Sequence, residues 1–193
     1  TVSDTFSITV DNTNDDPTAI ALSATAINEN AAGAVVGTLS TTDVDAGDSH
    51  TYTLSGDDAS SFEVVNNQLK LKDSVTANYE SKSTYAVTVT STDSGSATTS
   101  ESFTVTISDV NEAPTAMSLS NASVDESHYG KEVGTVSVTD PDSGNTHTFS
   151  LSGTDESYFE INSSGVLKLK DTKYADYESK STLSVTVTAT DQN

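Results

Sequence analysis

Acidic side chains recur in short loops of this 193-residue chain at spacings that suit a hard cation. The recurring acids are Glu29, Asp43, Asp45, Asp48, Glu80, Asp93, Asp109 and Glu112. Carboxylates placed close together repel each other and cost stability unless a cation joins them. Ca²⁺ takes about six to eight oxygen ligands. The sequence therefore predicts calcium binding, with Asn side chains and backbone carbonyls completing the ligand sets.

The segment Asp43-Val44-Asp45-Ala46-Gly47 does not begin an EF-hand loop. That loop needs Gly at its sixth position and a bidentate Glu at its twelfth. Gly47 is fifth, and the twelfth positions of the two copies of this segment are Leu54 and Leu151. No run shows the helical apolar period that flanking helices would need. A different calcium-binding architecture is required.

Composition excludes several classes of protein. The net charge is −21 and the pI is about 4.1, so the basic surface that nucleic acids or anionic lipids require is lacking. No apolar run approaches the roughly 20 residues that span a bilayer. The absence of cysteine removes disulfides and thiolate ligands. We expect the chain to be a soluble excerpt of a longer protein, because no signal segment opens it.

An internal repeat organises the chain. At an offset of 97 positions, Pro17-Thr18-Ala19 recurs as Pro114-Thr115-Ala116, Asp43-Val44-Asp45 as Asp140-Pro141-Asp142, and His50-Thr51-Tyr52 as His147-Thr148-Phe149. After one inserted residue the offset is 98, and Tyr79-Glu80-Ser81 recurs as Tyr177-Glu178-Ser179. Phe6-Ser7-Ile8-Thr9-Val10 matches Phe103-Thr104-Val105-Thr106-Ile107. The pattern predicts three parts: 1–13 as the last strand of a preceding repeat, 14–110 as a complete repeat, and 111–193 as a second repeat lacking its final strand.

Apolar residues alternate with Ser and Thr, which is typical of half-buried strands. Turn-forming clusters separate seven predicted strands, which are Ala19 to Ala26, Val35 to Thr41, His50 to Leu54, Phe62 to Val65, Gln68 to Leu71, Thr84 to Ser91 and Glu101 to Ser108. Seven strands in about 100 residues indicate an immunoglobulin-like sandwich. The predicted fold is all-β: tandem seven-stranded Greek-key sandwiches arranged as an elongated rod. Tyr85, Val87 and Val89, with Phe103, Val105 and Ile107, should face the core, and Leu183, Val185 and Val187 repeat the first three.

The same residues argue against an enzyme. Nucleophilic catalysis needs a base beside the nucleophile, yet His50 and His147 are equivalent strand residues and His128 is isolated in sequence. Paired carboxylates can hydrolyse glycosides, but their recurrence in both repeats favours structural metal binding.

These motifs resemble the cadherin repeats, in the form found in very large bacterial surface and secreted proteins of the RTX-adhesin type. The resemblance covers essentially the whole chain and implies up to three calcium ions at each junction between repeats. It implies a ligand set at the central junction of Glu29, Glu80, Asp109, Asn111, Glu112, Asp140, Asp142 and Asp191. Weaker or partial ligands are Asn12, Asn14, Asp15, Asp43, Asp45, Asp93, Asp48, Asn145, Glu126 and Glu178. We expect the outer sites to be weak or empty.

The chain departs from the animal cadherin pattern in three places. The Asp-Arg-Glu position reads Asn78-Tyr79-Glu80 in one copy and Asp176-Tyr177-Glu178 in the other. The linker Asp109 to Pro114 is one residue shorter than the animal consensus, which changes the expected number of ions. No Trp is available for the strand-exchanging adhesion of animal cadherins.

The resemblance predicts a calcium-dependent, non-enzymatic adhesion and spacer module on a cell surface or secreted protein. The alternative is a calcium-dependent polysaccharide-binding module with Tyr52, Tyr129, Tyr158 and Tyr174 as stacking faces, although we expect no two aromatics to cluster in a loop. Expected partners are adjacent repeats of the same chain and a polysaccharide or homophilic protein. The spare strand at Thr5 to Val10 further predicts head-to-tail strand exchange between molecules.

Overall fold

The computed structural model describes residues 1–191 and divides the chain into two compact units. Unit 1 is Thr1–Val110 and unit 2 is Asn111–Asn193. Both units are built from β-strands, and the only helical elements among the described residues are single 3₁₀ turns at Ala59–Ser61 and Glu156–Tyr158. No helix in that part of the chain has the length and apolar character to cross a bilayer.

Unit 1 contains eight strands in two four-stranded sheets. The strands are β1 (Ala19–Leu22), β2 (Ala26–Asn28), β3 (Val35–Thr42), β4 (Thr51–Ser55), β5 (Phe62–Val65), β6 (Gln68–Leu71), β7 (Thr84–Thr92) and β8 (Thr98–Ser108). One sheet has the order β1-β3-β6-β5 and the other β2-β8-β7-β4. All neighbours are antiparallel except β2 and β8, which are parallel.

The core of unit 1 lies between the two sheets. Leu69 and Leu71 from one sheet and Val89 and Val105 from the other are completely buried. Val89 and Val105 alternate with less buried Thr side chains, and Leu69 and Leu71 with Gln68 and Lys70, so each strand presents one apolar face to the opposite sheet. The inward orientation expected for β7 and β8 is confirmed.

The prediction of one first strand from Ala19 to Ala26 is wrong, because this stretch forms β1 and β2 in different sheets. Between them the backbone passes close to Gly37, where an added Cβ would meet Ala24. The pairing of β3 with β6 shifts register between Val35 and Gly37. This irregularity lets the chain cross from the edge of one sheet to the edge of the other.

Unit 2 contains six strands within the described residues. They are β9 (Ala116–Leu119), β10 (Glu132–Thr139), β11 (His147–Ser152), β12 (Phe159–Ile161), β13 (Val166–Leu169) and β14 (Thr186–Asp191). The sheets have the orders β12-β13-β10-β9 and β11-β14. Val133, Phe159, Leu167 and Leu169 form the buried core. Leu183 and Val185 pack against it, but they precede β14 rather than lying in a strand.

The predicted strand at Thr5 to Val10 is not formed in the structure, since the first strand of the described chain is β1. Phe6, Ile8 and Val10 are 81%, 87% and 90% exposed. An extended segment needs a hydrogen-bonded neighbour to become a strand. Its assignment to a preceding repeat, and the division at residues 13 and 110, stay predictions.

Candidate metal centre

The first acid set of unit 1 lies where β3 and β7 end. We call it the amino-terminal set of unit 1, and it comprises Asn12, Asn14, Asp15, Asp43, Asp45, Asp48 and Asp93. Asp43 follows β3 directly and Asp93 follows β7 directly. One oxygen from each of Asp43, Asp48 and Asp93 lies within 4.8 Å of the others. All the weaker ligands predicted near the start of unit 1 are therefore brought together.

Residues 12–15 are bound to this set through hydrogen bonds. Asn12 Nδ2 donates to Asp45 Oδ1 at 2.8 Å, and the Asp15 amide donates to Asp45 Oδ2 at 2.7 Å. Asn14 Nδ2 donates to Asp93 Oδ2 at 3.0 Å. The Asn12 bond and then the Asp15 bond hold the pKa of Asp45 below its usual value. The Asp45 carboxylate is therefore held in its ionised, oxygen-donor form.

The loop after β3 is shaped by its own sequence. The Asp45 amide donates to Asp43 Oδ1 at 3.0 Å, and the Asp48 amide donates to the Asp45 carbonyl at 3.2 Å. Gly47 makes the turn possible with φ of +88°, a conformation that favours glycine. The side-chain hydrogen bond from Ser94 contributes most to lowering the pKa of Asp48.

A histidine positions the first aspartate of each repeat. His50 Nε2 lies 3.0 Å from Asp43 Oδ2, and His147 Nε2 lies 2.8 Å from Asp140 Oδ2. Both histidine side chains are nearly buried, at 13% and 12% exposure. Sequence reasoning treated them as strand residues only. The signal that could have found them is the spacing of seven residues from the aspartate in both repeats.

The second acid set of unit 1 comprises Glu29, Glu80 and Asp109, and we call it the carboxyl-terminal set. Glu29 follows β2 and Asp109 follows β8, and these strands run parallel, so both residues leave the sheet at the same end. One oxygen from each of the three residues lies within 4.8 Å of the others. Three predicted central-junction ligands thus meet within unit 1.

Glu29 is the buried member of this set, at 3% exposure. Its Oε2 accepts a hydrogen bond from the Tyr79 amide and its Oε1 accepts one from the Val110 amide, each at 2.8 Å. Hydrogen bonds from backbone amides stabilise the charged form of a carboxylate. Glu29 therefore ties the last residue of unit 1 to the loop that carries Glu80.

The two acid sets of unit 1 lie at opposite ends of its β7–β8 ladder. This ladder runs from the Thr84–Thr106 pair to the Thr92–Thr98 pair. Eight steps of about 3.4 Å give a length of about 27 Å. Asp93 follows β7 at one end, whereas Asp109 follows β8 at the other.

Unit 2 repeats the amino-terminal set. The Glu112 amide donates to Asp142 Oδ2 at 2.6 Å, as the Asp15 amide does to Asp45 in unit 1. The Asp142 amide donates to Asp140 Oδ1 at 3.0 Å. Asn145 Nδ2 donates to Asn111 Oδ1 at 3.0 Å and to Asp142 Oδ2 at 3.3 Å. Asp191, on β14, is the ladder partner of His147.

Asp142 has a buried carboxylate oxygen that needs a further partner. It is 7% exposed, and its Oδ1 is buried without a hydrogen bond to any described residue. A buried, unpartnered carboxylate oxygen is costly. A divalent cation satisfies such an oxygen, so this donor set fits calcium.

The second acid set of unit 2 comprises Glu126, Asp176 and Glu178, with one oxygen from each within 4.8 Å of the others. The Tyr177 amide donates to Glu126 Oε2 at 3.0 Å, as the Tyr79 amide does to Glu29. Asp176 was not among the predicted ligands. It occupies the Asp position of the Asp-Arg-Glu motif, and this match could have identified it as a ligand.

Lysines neutralise other acids of the chain. Lys82 pairs with Asp58, and Lys180 pairs with Asp155 at 2.5 Å. Lys70 pairs with Glu63 and Asp73, and Lys168 pairs with Glu160 and Asp171. These partners lie outside the four acid sets. At an effective dielectric constant of 20, two carboxylates 4.8 Å apart repel by about 3.5 kcal/mol. The three sets whose oxygens lie within 4.8 Å of one another inside one unit therefore favour a bound cation.

The tyrosines named as stacking faces separate into two kinds. Tyr52 and Tyr158 pack against the cores, and the Tyr52 hydroxyl is 3.0 Å from Thr41 Oγ1. Tyr129 and Tyr174 are 63% and 39% exposed, with ring centroids 4.9 Å apart. The expectation that no two of these aromatics cluster is wrong, because the fold joins rings that are distant in sequence.

Comparison with known proteins identifies the family. The profile of the cadherin domain family matches residues 23–108 and 120–193, most of both units. The chain belongs to the cadherin domain family. Cadherin domains are extracellular, non-enzymatic, and typically act as calcium-dependent adhesion or spacer modules. A comparison with curated protein sequences gave no match.

Solved cadherin structures share the fold. Human protocadherin-24 EC1-2 is 23% identical with a TM-score of 0.65, and the match covers 87% of this chain and 82% of that one. Chicken VE-cadherin EC1-2 is 24% identical with a TM-score of 0.54, covering 86% and 87%. Mouse cadherin-23 EC22-24 is 22% identical with a TM-score of 0.64, covering 91% and 59%. The prediction of tandem all-β cadherin-like sandwiches is confirmed.

Proposed function

We propose that this cadherin chain is a calcium-dependent, non-enzymatic adhesion and spacer module of a large bacterial surface or secreted protein. The observation that carries the proposal is the repetition of one hydrogen-bonded acid arrangement in both units. In each, a backbone amide from residues 15 or 112 donates to the second aspartate of the Asp-x-Asp pair. In each, a histidine holds the first aspartate. The bacterial origin rests on the sequence resemblance alone.

We assign calcium binding at the central junction to two sets of residues. Unit 1 would supply Glu29, Glu80 and Asp109, and unit 2 would supply Asn111, Glu112, Asp140, Asp142 and Asp191. Asp109 and Asn111 are two positions apart in the chain. The ligand set of unit 1 is therefore connected to the ligand set of unit 2 through only two residues of backbone. Bound calcium would supply positive charge and common ligands to both sets.

The residues of the chain prepare these sites before any ion binds. Backbone amides orient Glu29, and the loop bonds orient Asp140 and Asp142. Oriented ligands lose little conformational freedom on binding, which favours affinity. Without the cation, repulsion between carboxylates favours separation of the two sets. We infer that calcium limits bending between the units.

Calorimetric titration with calcium, combined with solution scattering, tests this function. Extracellular calcium modules bind at about 10⁻⁴ to 10⁻³ M, and we expect binding in that range. The distribution of interatomic distances should narrow when calcium is added and broaden with a chelator. Glu80→Ala should abolish this change while leaving each sandwich folded. Glu101→Ala, on the exposed face of β8, is the matched control. No heat of binding and identical scattering with and without calcium would refute the proposal.

Polysaccharide binding is the second candidate, and the Tyr129–Tyr174 pair is the observation that favours it. Exposed rings of this kind offer apolar faces to sugar rings. Affinity electrophoresis in polysaccharide gels, with and without calcium, tests the candidate. Tyr174→Ala should abolish retardation, whereas Tyr79→Ala, at the same 39% exposure, should not. Equal mobility in every gel would remove this candidate.

A further inference from the structure

Unit 1 holds three hydroxyl groups in one hydrogen-bonded cluster between its two sheets. Thr41 Oγ1 on β3 lies 2.8 Å from Ser91 Oγ on β7 and 3.0 Å from the Tyr52 hydroxyl on β4. Ser91 is completely buried. We call these three residues the hydroxyl cluster. A buried hydroxyl costs free energy unless it is hydrogen-bonded, and each member of the cluster has a partner within it.

The hydroxyl cluster joins the two sheets of the sandwich. Tyr52 and Ser91 are directly opposite in the β4–β7 ladder, so they belong to one sheet. Thr41 lies on β3, which belongs to the other sheet. The apolar side chains of the core also join the sheets, but the hydrophobic effect has no preferred direction. Hydrogen bonds depend on distance and angle, so the cluster fixes the position of β3 relative to β4 and β7.

The hydroxyl cluster lies at the strand ends that carry the amino-terminal set of unit 1. Each member is two positions from an ionisable residue at the end of its strand, in the pairs Thr41 and Asp43, Ser91 and Asp93, and Tyr52 and His50. Residues two apart in an extended strand point to the same face. Asp43 follows β3 and Asp93 follows β7, so the separation of these two carboxylates depends on how the two sheets are held.

Unit 2 carries apolar residues at the three equivalent positions. They are Val138 on β10, Phe149 on β11 and Ala189 on β14. Phe149 and Ala189 are directly opposite in their ladder, as Tyr52 and Ser91 are in theirs. The same strand pairing therefore forms without any of the three hydroxyls. The hydroxyl cluster is not a requirement of the fold, and its place beside the acids gives it a different role.

We propose that Thr41, Tyr52 and Ser91 are positioning residues for calcium in the amino-terminal set of unit 1. The inference rests on the calcium function proposed above. The hydrogen bonds of the cluster hold the ends of β3 and β7 at a fixed separation, so the carboxylates of Asp43 and Asp93 are ordered before an ion binds. Binding then costs less conformational freedom, which favours affinity. The three hydroxyls act through these carboxylates and bind no ion themselves.

Exchange of the cluster for its unit 2 counterpart tests the proposal. The triple variant Thr41→Val, Tyr52→Phe and Ser91→Ala removes all three hydroxyls together, so none is left buried without its partner. NMR amide signals follow each unit separately during a calcium titration, because Gly47 lies in the acidic loop of unit 1 and Gly144 in the equivalent loop of unit 2. The Kd measured at Gly47 should rise roughly tenfold, the order expected for the loss of two neutral hydrogen bonds. The Kd measured at Gly144 should not change.

Two control variants separate positioning from stability. Thr41→Ser keeps the hydroxyl at the centre of the cluster and should retain the Kd of the unaltered chain at Gly47. Leu69→Ala removes packing from the completely buried core of the same unit, so it should lower Tm without changing that Kd. A cluster that only stabilised the fold would behave like Leu69.

The titration distinguishes failure of this inference from failure of the proposed function. Equal Kd values at Gly47 in the triple variant and the unaltered chain would overturn the positioning role and leave calcium binding standing. A rise in Kd of the same size in Leu69→Ala would also overturn the positioning role. If calcium shifted neither the Gly47 nor the Gly144 signal of the unaltered chain, the inference and the proposed function would fall together.

Discussion

Replacement of Glu29 by Gln is the sharpest test of the calcium sites in unit 1. The substitution keeps size and shape but removes one charge from a buried side chain that touches two backbone amides. One of those amides would then face an NH₂ group instead of an acceptor. Loss of one hydrogen bond to a charged group costs about 1.5 to 3 kcal/mol.

Without calcium a second effect opposes this loss. Glu29 lies within 4.8 Å of carboxylate oxygens of Glu80 and Asp109. Each repulsion amounts to about 3.5 kcal/mol at a dielectric constant of 20 and about 1 kcal/mol in water. Since Glu80 and Asp109 are exposed, the lower figure weighs more. The two effects nearly cancel, so Glu29→Gln should change the stability of the calcium-free protein little.

With calcium the balance changes. At a hundredfold excess over Kd, binding stabilises the folded state by about 2.7 kcal/mol, and a tenfold weaker site gives only about 1.4 kcal/mol. The difference of about 1.3 kcal/mol corresponds to roughly 5 to 10 °C in Tm for a domain of this size. We therefore expect Glu29→Gln to halve the rise in Tm that calcium produces.

Scanning calorimetry of the variant and the unaltered chain, in chelator and in calcium, measures this rise. Glu101→Gln is the control, since it makes the same chemical change on β8 away from the acid sets. An unchanged calcium-induced rise in Glu29→Gln would refute the assignment of Glu29 as a ligand.

Three further predictions concern single side chains. Asp142→Asn should weaken calcium binding by roughly tenfold or more in calorimetric titration, because ligand charge sets affinity; unaltered titration would contradict this. The hydrogen bond from Lys180, and then the Ser184 amide, hold the pKa of Asp155 below its usual value. The stabilisation that ionised Asp155 contributes is therefore present above about pH 4 and lost as the pH falls further. Asp155→Asn should lower Tm at pH 7 but make little difference to Tm at pH 2. A difference in Tm that does not depend on pH would contradict this prediction. Leu69→Ala should destabilise unit 1 by about 2 to 5 kcal/mol through a cavity in its core, seen as a fall in one calorimetric transition while the other is unchanged.

Most strands of unit 1 could be predicted from sequence because apolar and hydroxyl side chains alternate clearly. The limits predicted for Phe62 to Val65 and Gln68 to Leu71 agree with β5 and β6. The break between β1 and β2 could not be predicted, since Ser23, Ala24 and Thr25 are small and give no pattern contrast. The break occurs because β1 pairs with β3 and β2 pairs with β8, and these pairings are set by the tertiary structure.

The sequence predicted which residues belong to the acid sets better than it predicted how those residues are arranged in space. Repetition in the sequence identified Glu29, Glu80 and Asp109, and the fold brings them together. The seven-residue spacing of His50 and His147 from the first aspartate recurs in both repeats, but the contact itself depends on how the intervening loop folds. The unpaired residues 182–185 keep a strand-like pattern, yet a ladder also requires a neighbour.

The parallel pairing of β2 with β8 sets how unit 1 responds to mechanical load. In chain order β2 is among the first strands of the unit and β8 is the last, and three residue pairs from Ala26–Thr106 to Asn28–Ser108 join them. Tension applied at the two chain ends pulls parallel neighbours in opposite directions along their length. The interstrand bonds are then sheared together rather than opened one after another. A cadherin unit whose second and last strands pair in parallel therefore resists stretching better than a hairpin whose two strands are pulled apart from its open end.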